Sequence, residues 1–109
     1  MENKQLPEKL GPYSLCRTHN GIVYVAGIIP VVPGTKELLN DSFEAQCKLI
    51  FSHLKNILES ANSSLHNLLK VRVYLTDITK GAELNKLYPQ FIPEPLPARV
   101  LIEVSNLPL

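Results

Sequence analysis

A switch of hydrophobic period in the middle of the chain constrains the fold more than any other feature. Between Ser42 and Ala61, apolar residues recur every three or four positions, as they do on one face of a helix. From Leu69 to Thr76 they alternate with polar or amphipathic residues, as in a strand with one buried face. The chain is therefore predicted to pack helices against a sheet.

A hairpin is predicted ahead of the first helix. Gly21 to Gly27 is rich in β-branched and aromatic residues, and Asn20-Gly21 suits the positive φ angles of a two-residue hairpin turn. Tyr13 to Thr18 is then the antiparallel partner strand. Pro30 and Pro33 lack the N–H that a central strand donates, so a loop is predicted after the hairpin.

The second half of the chain repeats the alternation of strand and helix. A helix is predicted from roughly Gly81 to Phe91, followed by a strand from Val100 to Val104. Asp41 or Ser42 is expected to cap the first helix, and Thr79 the second. The order strand, strand, helix, strand, helix, strand indicates an α+β fold in which both helices pack on one face of a mixed sheet.

Length and charge restrict the classes of function. The 109 residues suffice for a single domain, residues 1–109. Scattered Lys and Arg residues, 11 in all, are balanced by 10 acidic residues for a formal net charge of +1, which disfavours a nucleic-acid partner. No apolar run is long enough to span a bilayer, and the first residues lack the apolar core of a signal peptide. We therefore expect no membrane partner and a cytoplasmic location.

The cysteines and histidines do not suggest a metal site. Cys16 and Cys47 are too far apart in sequence for a metal knuckle and too few for a disulfide framework, so both are predicted to be reduced and mostly buried. His19, His53 and His66 show no metal-ligand spacing, and all three are predicted to lie at the surface.

An arginine introduces the last strand. Pro97-Ala98-Arg99 precedes the apolar run from Val100 to Val104. A guanidinium is a fixed fork of donors, and placed where a core strand begins it suggests a clamp for a carboxylate. The alternative is an ordinary strand-end arginine that pairs with an acidic neighbour or lies along the surface.

Several segments, taken in order and with their spacing, resemble the YjgF family. This family is also known as the reactive intermediate deaminases, or Rid proteins, and as the L-PSP endoribonucleases. The resemblance covers nearly the whole chain and is carried by Gly11-Pro12-Tyr13-Ser14, Val25-Ala26-Gly27-Ile28-Ile29-Pro30, Val71-Arg72-Val73-Tyr74-Leu75-Thr76-Asp77, Asn85-Lys86-Leu87-Tyr88, Pro97-Ala98-Arg99, Glu103-Val104 and Leu107-Pro108.

The resemblance implies a chorismate-mutase-like homotrimer with three clefts between subunits. It also implies hydrolysis of reactive 2-enamine or 2-imino acids, such as 2-aminoacrylate, to 2-keto acids and ammonia without a metal or cofactor. Arg99 matches the family arginine that grips the substrate carboxylate, and Tyr13 matches a tyrosine of the cleft. Asn85 matches a polar helix residue of the pocket, Gly27 would let the backbone approach the ligand, and the Leu101 N–H could bond the substrate.

Three departures from the family pattern bear on activity. Ala26-Gly27-Ile28 stands where the family commonly has Ser-Gly-Gln, so a hydroxyl and an amide are missing. Leu101 takes the place of a common cysteine. At Leu109 the sequence given stops, where family members continue into a last strand whose glutamate is thought to position the attacking water, so residues 1–109 are expected to lack that strand.

Two classes of function follow, with a third alternative. The first is an imine deaminase with Arg99 as clamp; the second is a non-catalytic regulator or sensor that binds a small carboxylate. An L-PSP-type endoribonuclease or translation inhibitor fits poorly with a near-neutral chain lacking a basic aromatic groove. Without the resemblance, Tyr13 is interpreted as a half-buried strand aromatic, Asn85 as an exposed helix residue and Gly27 as a turn residue.

Overall fold

Four strands and two α-helices follow one another in the predicted order in the computed structural model, which describes residues 6–108. The chain divides between Ser64 and Leu65 into two compact units. The first unit contains two strands and the longer helix, and the second contains the remaining strands and helix. The elements are β1 (Cys16–His19), β2 (Ile22–Val25), α1 (Phe43–Ser60), β3 (Lys70–Leu75), α2 (Gly81–Phe91) and β4 (Ala98–Glu103).

The first unit begins with the predicted hairpin. Strands β1 and β2 pair in antiparallel register, with Cys16 opposite Val25 and the turn formed by Asn20 at φ 52° and Gly21 at φ 78°. Those positive φ angles are what the Asn-Gly pair predicts. The first strand is shorter than expected, because it starts at Cys16 and leaves Tyr13 in the preceding bend.

Helix α1 starts and ends where its sequence predicts. The Ser42 side chain accepts a hydrogen bond from the Ala45 N–H at 3.1 Å and so caps the first turn. Asn62, at φ 61°, takes the left-handed conformation that ends many helices. Cys47 is buried on the helix, as expected, whereas Cys16 is half-buried; neither cysteine forms a disulfide.

One histidine is misplaced by the sequence prediction. His19 and His66 are exposed as expected, but His53 is 1 % exposed, and its Nε2–H donates to the carbonyl of Val31 at 2.8 Å. Three residues after Ile50 and four before Ile57, His53 lies on the apolar stripe of α1. The hydrogen bond to this buried carbonyl replaces the one that the ring loses to water, so the polar ring can be buried.

The second unit is a strand, helix, strand crossover. Strands β3 and β4 pair in parallel, from Lys70 opposite Ala98 to Leu75 opposite Glu103. Residues of β3 alternate between exposed and half-buried, as the sequence predicts. A parallel pair needs a crossover connection, and here α2 supplies it.

The start of α2 differs from the prediction. Lys80 stands at its N-cap without a capping side-chain bond, and Thr79 is not the cap. The side chain of Asp77 instead caps the short 3₁₀ turn Ile78–Lys80 that leads into the helix. Asp77 has this role because its carboxylate accepts from the Thr79 N–H at 3.0 Å and from the Thr79 hydroxyl at 2.6 Å.

The strand pairing is simpler than a single mixed sheet. Among residues 6–108, backbone hydrogen bonds form one antiparallel and one parallel ladder, each of two strands. Both kinds of pairing of a mixed sheet are therefore present, but in separate ladders. After β2 the chain reaches Pro30, which has no N–H with which to extend a ladder. None of the helices in the described part of the chain is long and apolar enough to cross a membrane.

Candidate functional site

Arg99 lies at the second position of β4 and points its guanidinium at helix α2. Its Nη2 donates to Oδ1 of Asn85 at 2.6 Å. Asn85 is exposed and Arg99 is half-buried, so this bond lies at the surface of the second unit. The structure therefore brings together two of the predicted site residues, which are 14 positions apart in the sequence.

The aromatic ring of Tyr88 forms the third part of this cluster. The Arg99 Cζ lies 4.9 Å from the ring centroid, within the range of a cation–π contact. Tyr88 is 6 % exposed, and its burial raises the pKa of the phenol, although the Arg99 charge opposes the change. A raised pKa keeps the phenol neutral around pH 7.

Tyr88 is a residue of this cluster that the sequence prediction missed. Its period places it on the apolar side of α2, where a core role is the ordinary interpretation. The available signal was its spacing of three from Asn85, which puts the two side chains on one face of the helix.

The guanidinium has an amide and a ring as its neighbours, not an acid. Among residues 6–108, no Asp or Glu forms an ion pair with Arg99; the ion pair found on α2 joins Lys80 and Glu83 at 3.9 Å. The alternative of a strand-end arginine paired with an acidic neighbour therefore does not describe this contact. A guanidinium without an acidic partner retains the capacity to bind an added carboxylate.

Leu101 follows Arg99 on the same strand. The N–H groups of Ala98 and Val104, at either end of β4, donate to carbonyls at the ends of β3. Because successive N–H groups of a strand point to opposite edges, those of Arg99 and Leu101 point away from β3. This orientation is the one that the predicted role of the Leu101 N–H requires.

Close packing fixes this strand against the start of α2. A Cβ atom at Gly81 would lie 2.9 Å from Cδ2 of Leu101, so the glycine allows strand and helix to approach closely. Farther along β4, Oε1 of Glu103 accepts from the Ile78 N–H at 2.9 Å. The strand that carries Arg99 is thus held at two points to the segment that leads into α2.

Tyr13 and Gly27 lie in the first unit, where both line one pocket. The walls are mostly apolar and include Leu15, Ala26 and Ile28. Tyr13 is 41 % exposed, and its hydroxyl accepts from the Leu10 N–H at 3.2 Å. A Cβ at Gly27 would meet no atom within 4 Å, so nothing in the described chain requires a glycine there.

The described residues therefore hold the predicted site residues as two groups. Arg99, Asn85 and Leu101 are on regular elements of the second unit, and Tyr13 and Gly27 are in irregular segments of the first. In the described part of the chain, no three His, Cys, Asp or Glu side chains lie close enough together to hold a metal ion.

The chain matches known proteins over nearly its whole length. The family model described as "Endoribonuclease L-PSP" matches residues 3–109. A RutC family protein of Pyrococcus abyssi is 39 % identical over 105 residues, which are 96 % of this chain and 83 % of that protein. Reactive Intermediate Deaminase A, chloroplastic, of Arabidopsis thaliana is 28 % identical over 109 residues, all of this chain and 58 % of that protein.

Solved structures share the fold. The crystal structure of E. coli TdcF with bound serine superposes with a TM-score of 0.87 at 31 % identity, covering 98 % of this chain and 86 % of that one. The match to the family model spans nearly the whole sequence, and the described fold agrees with it. The chain therefore belongs to the YjgF/Rid family of endoribonuclease L-PSP-like proteins.

Proposed function

We propose that this protein hydrolyses reactive 2-enamine or 2-imino acids to 2-keto acids and ammonia, with Arg99 as the clamp for the substrate carboxylate. The observation that carries the proposal is the half-buried guanidinium whose neighbours are an amide and an aromatic ring. A carboxylate binds such a group through charge-assisted hydrogen bonds, which hold the neighbouring imine carbon in place.

The reaction itself needs only water. A 2-enamine first becomes the 2-imine, as its β-carbon gains a proton and its nitrogen loses one. The oxygen of water then adds to the imine carbon, and one of its protons passes to the nitrogen. The carbon–nitrogen bond breaks, the remaining hydroxyl proton goes to the departing nitrogen, and ammonia leaves as the keto group forms. In this scheme Arg99 and the Leu101 N–H hold the carboxylate, and Asn85 holds Arg99. No described side chain is assigned as the proton carrier. Ala26 and Ile28 supply no hydroxyl or amide that could place the water.

Tyr13 and Gly27 are proposed to line the same cleft as Arg99 in an assembly of three chains. The support is the family resemblance, together with the exposure of Tyr13 and the open space beside Gly27. Tyr74 and Ile102, opposite each other in register on β3 and β4, are 45 % and 43 % exposed, which gives an apolar patch that a subunit contact would cover. Light scattering after gel filtration should give three times the mass of the chain.

Two of the relatives support this proposal, one by its name and one by its bound ligand. One relative is named a reactive intermediate deaminase, and the TdcF structure holds serine, which carries a carboxylate. That deaminase is also named as chloroplastic. A cytoplasmic location for this chain is part of the proposal, and microscopy of a tagged protein in its own cells tests it.

The assay is ammonia release when the protein is added to a dehydratase that generates 2-aminoacrylate in situ. We expect the wild type to accelerate ammonia release and Arg99→Ala to lose the acceleration. Arg17→Ala is the matched control, because Arg17 is an exposed arginine on β1, away from the patch of Tyr74 and Ile102 in sequence. Equal acceleration by wild type and Arg99→Ala would overturn the assignment of Arg99.

A non-catalytic regulator or sensor is the second candidate. The observation that favours it is that Ala26, Gly27 and Ile28, which line the pocket, carry no side-chain hydroxyl or amide that could hold an attacking water. This candidate predicts that pyruvate raises the thermal midpoint while ammonia release stays at the background rate. Endoribonuclease activity, the third candidate, is named in the family description but is disfavoured by the net charge of +1.

A further inference from the structure

The Arg99 guanidinium touches α2 in two ways, one at an edge and one at a face. At the edge, Nη2 donates to Asn85 Oδ1 at 2.6 Å; at the face, the Tyr88 ring centroid lies 4.9 Å from Cζ. Asn85 and Tyr88 are three residues apart on α2, so one helix face makes both contacts. The two contacts restrain different motions, since a bond at the edge leaves the plane free to tilt and a ring at the face does not.

The bond to Asn85 reduces the ways in which a carboxylate can bind. A guanidinium offers two edges for bidentate binding, formed by Nε with Nη2 and by Nη1 with Nη2. Each edge uses one of the two hydrogens of Nη2, and Asn85 accepts one of them. One bidentate edge therefore remains available, and a carboxylate that uses it has one orientation relative to the helix.

We propose that Tyr88 is a positioning residue that holds the plane of Arg99, so that this remaining edge faces the substrate carboxylate. The inference rests on the proposed function, which assigns the carboxylate to Arg99. Tyr88 is suited to the role because its ring is 6 % exposed and lies on a helix face that also buries Leu84 and Leu87. A buried ring has little freedom to move away from the cation.

The ring, not the hydroxyl, is the active part in this proposal. Attraction between a cation and an aromatic face depends on the electron density above the ring, which Phe supplies nearly as well as Tyr. Tyr88→Phe should therefore still hold the plane of Arg99, whereas Tyr88→Leu should not. Leu87→Ala is the matched control, because it removes buried volume from the same helix and leaves the ring in place.

The first readout is the ¹⁵N NMR spectrum of the arginine side chains, of which the chain has three. The Arg99 Nε resonance, assigned with Arg99→Lys, should report a rigid side chain with protons shifted upfield by the ring. We expect this signature in wild type, Tyr88→Phe and Leu87→Ala, and its loss in Tyr88→Leu. An unchanged Arg99 signature in folded Tyr88→Leu would overturn the inference, whatever the protein catalyses.

The second readout is the Kd for pyruvate, a simple keto acid, together with kcat and KM for ammonia release. Tyr88→Leu should weaken pyruvate binding by about 3- to 30-fold and raise KM more than it lowers kcat. Tyr88→Phe should remain within about twofold of wild type. If Tyr88→Phe weakens binding as much as Tyr88→Leu, or if neither changes it, the ring has no positioning role. A wild type that binds pyruvate without releasing ammonia refutes the proposed catalysis. The role of Tyr88 can still be tested in that case, from the Kd for pyruvate and the Arg99 NMR signature.

Discussion

The two groups of site residues differ in how completely the folded chain fixes them. Arg99 is held on a regular strand by a hydrogen bond and by a buried ring, both from α2. Tyr13 lies in a bend with 41 % of its surface exposed, and Gly27 borders open space. The comparison indicates that the proposed carboxylate clamp is prepared within one chain, whereas the residues of the first unit are proposed to acquire their role only when a ligand or another subunit is present.

The largest expected effect is the loss of activity on substitution of Arg99, the proposed clamp. Arg99→Lys keeps the charge but replaces the fork with a single ammonium, so kcat/KM should fall by about 10- to 100-fold. The stability of the fold should change little, because Arg99 is only half-buried. Steady-state ammonia release by Arg99→Lys and by the control Arg17→Lys measures the effect. Comparable losses in the two variants would mean that general charge, and not the fork, matters.

The second prediction concerns the stability of the first unit. His53→Ala leaves the buried carbonyl of Val31 without its donor and opens a cavity, so the free energy of unfolding should fall by about 2 kcal/mol. Urea denaturation measures this change. The exposed His66, changed to Ala, should stay within about 0.5 kcal/mol of wild type. Equal losses in both variants would show that the His53 bond contributes nothing.

The third prediction compares two glycines: Gly27, which is proposed to lie against the ligand, and Gly21, which the hairpin turn requires. A Cβ at Gly27 meets no atom within 4 Å, so Gly27→Ala should change stability by less than about 0.5 kcal/mol. If the ligand lies against the backbone at Gly27, the added methyl group should weaken pyruvate binding by about tenfold. Gly21→Ala is the opposite case, since its φ of 78° should cost about 1 kcal/mol of stability and leave binding unchanged. Unchanged pyruvate binding by Gly27→Ala would remove Gly27 from the site.

Features of the fold that depend on neighbouring residues could be predicted from the sequence, and those that depend on distant residues could not. The hairpin turn at Asn20-Gly21, the cap at Ser42 and the alternation along β3 depend on neighbouring residues, and all were predictable. His53 and Val31 are 22 residues apart, so no local rule showed that the histidine would find a buried acceptor.

The candidate site divides in the same way. The resemblance of short segments singled out Arg99 and Asn85 as residues, but their contact depends on how β4 packs against α2. Tyr88 looked like an ordinary core residue because its period is that of the apolar face, and only the position of Arg99 above the ring distinguishes it. The sequence therefore indicated which residues to consider, but it did not indicate which of them are in contact.

The smallest expected effect is a pH dependence at the turn before α2. Hydrogen bonds from Thr79 lower the pKa of Asp77. Because the folded-state pKa is below the unfolded one of about 4, the stabilisation is complete above about pH 5 and is lost as the pH falls through the folded-state value. The gap in thermal midpoint between wild type and Asp77→Asn should therefore narrow from about pH 5 to pH 2. A gap that is constant across this range would exclude the titration of Asp77 as its cause.

A pyruvate titration of the arginine side chains by ¹⁵N NMR tests most directly whether the Arg99 cluster binds a carboxylate. The chain has Arg17 and Arg72 as internal references, both exposed. We predict a saturable shift of the Arg99 Nε resonance with no shift of the other two. An Arg99 resonance that does not respond, or three resonances that respond alike, would contradict the assignment.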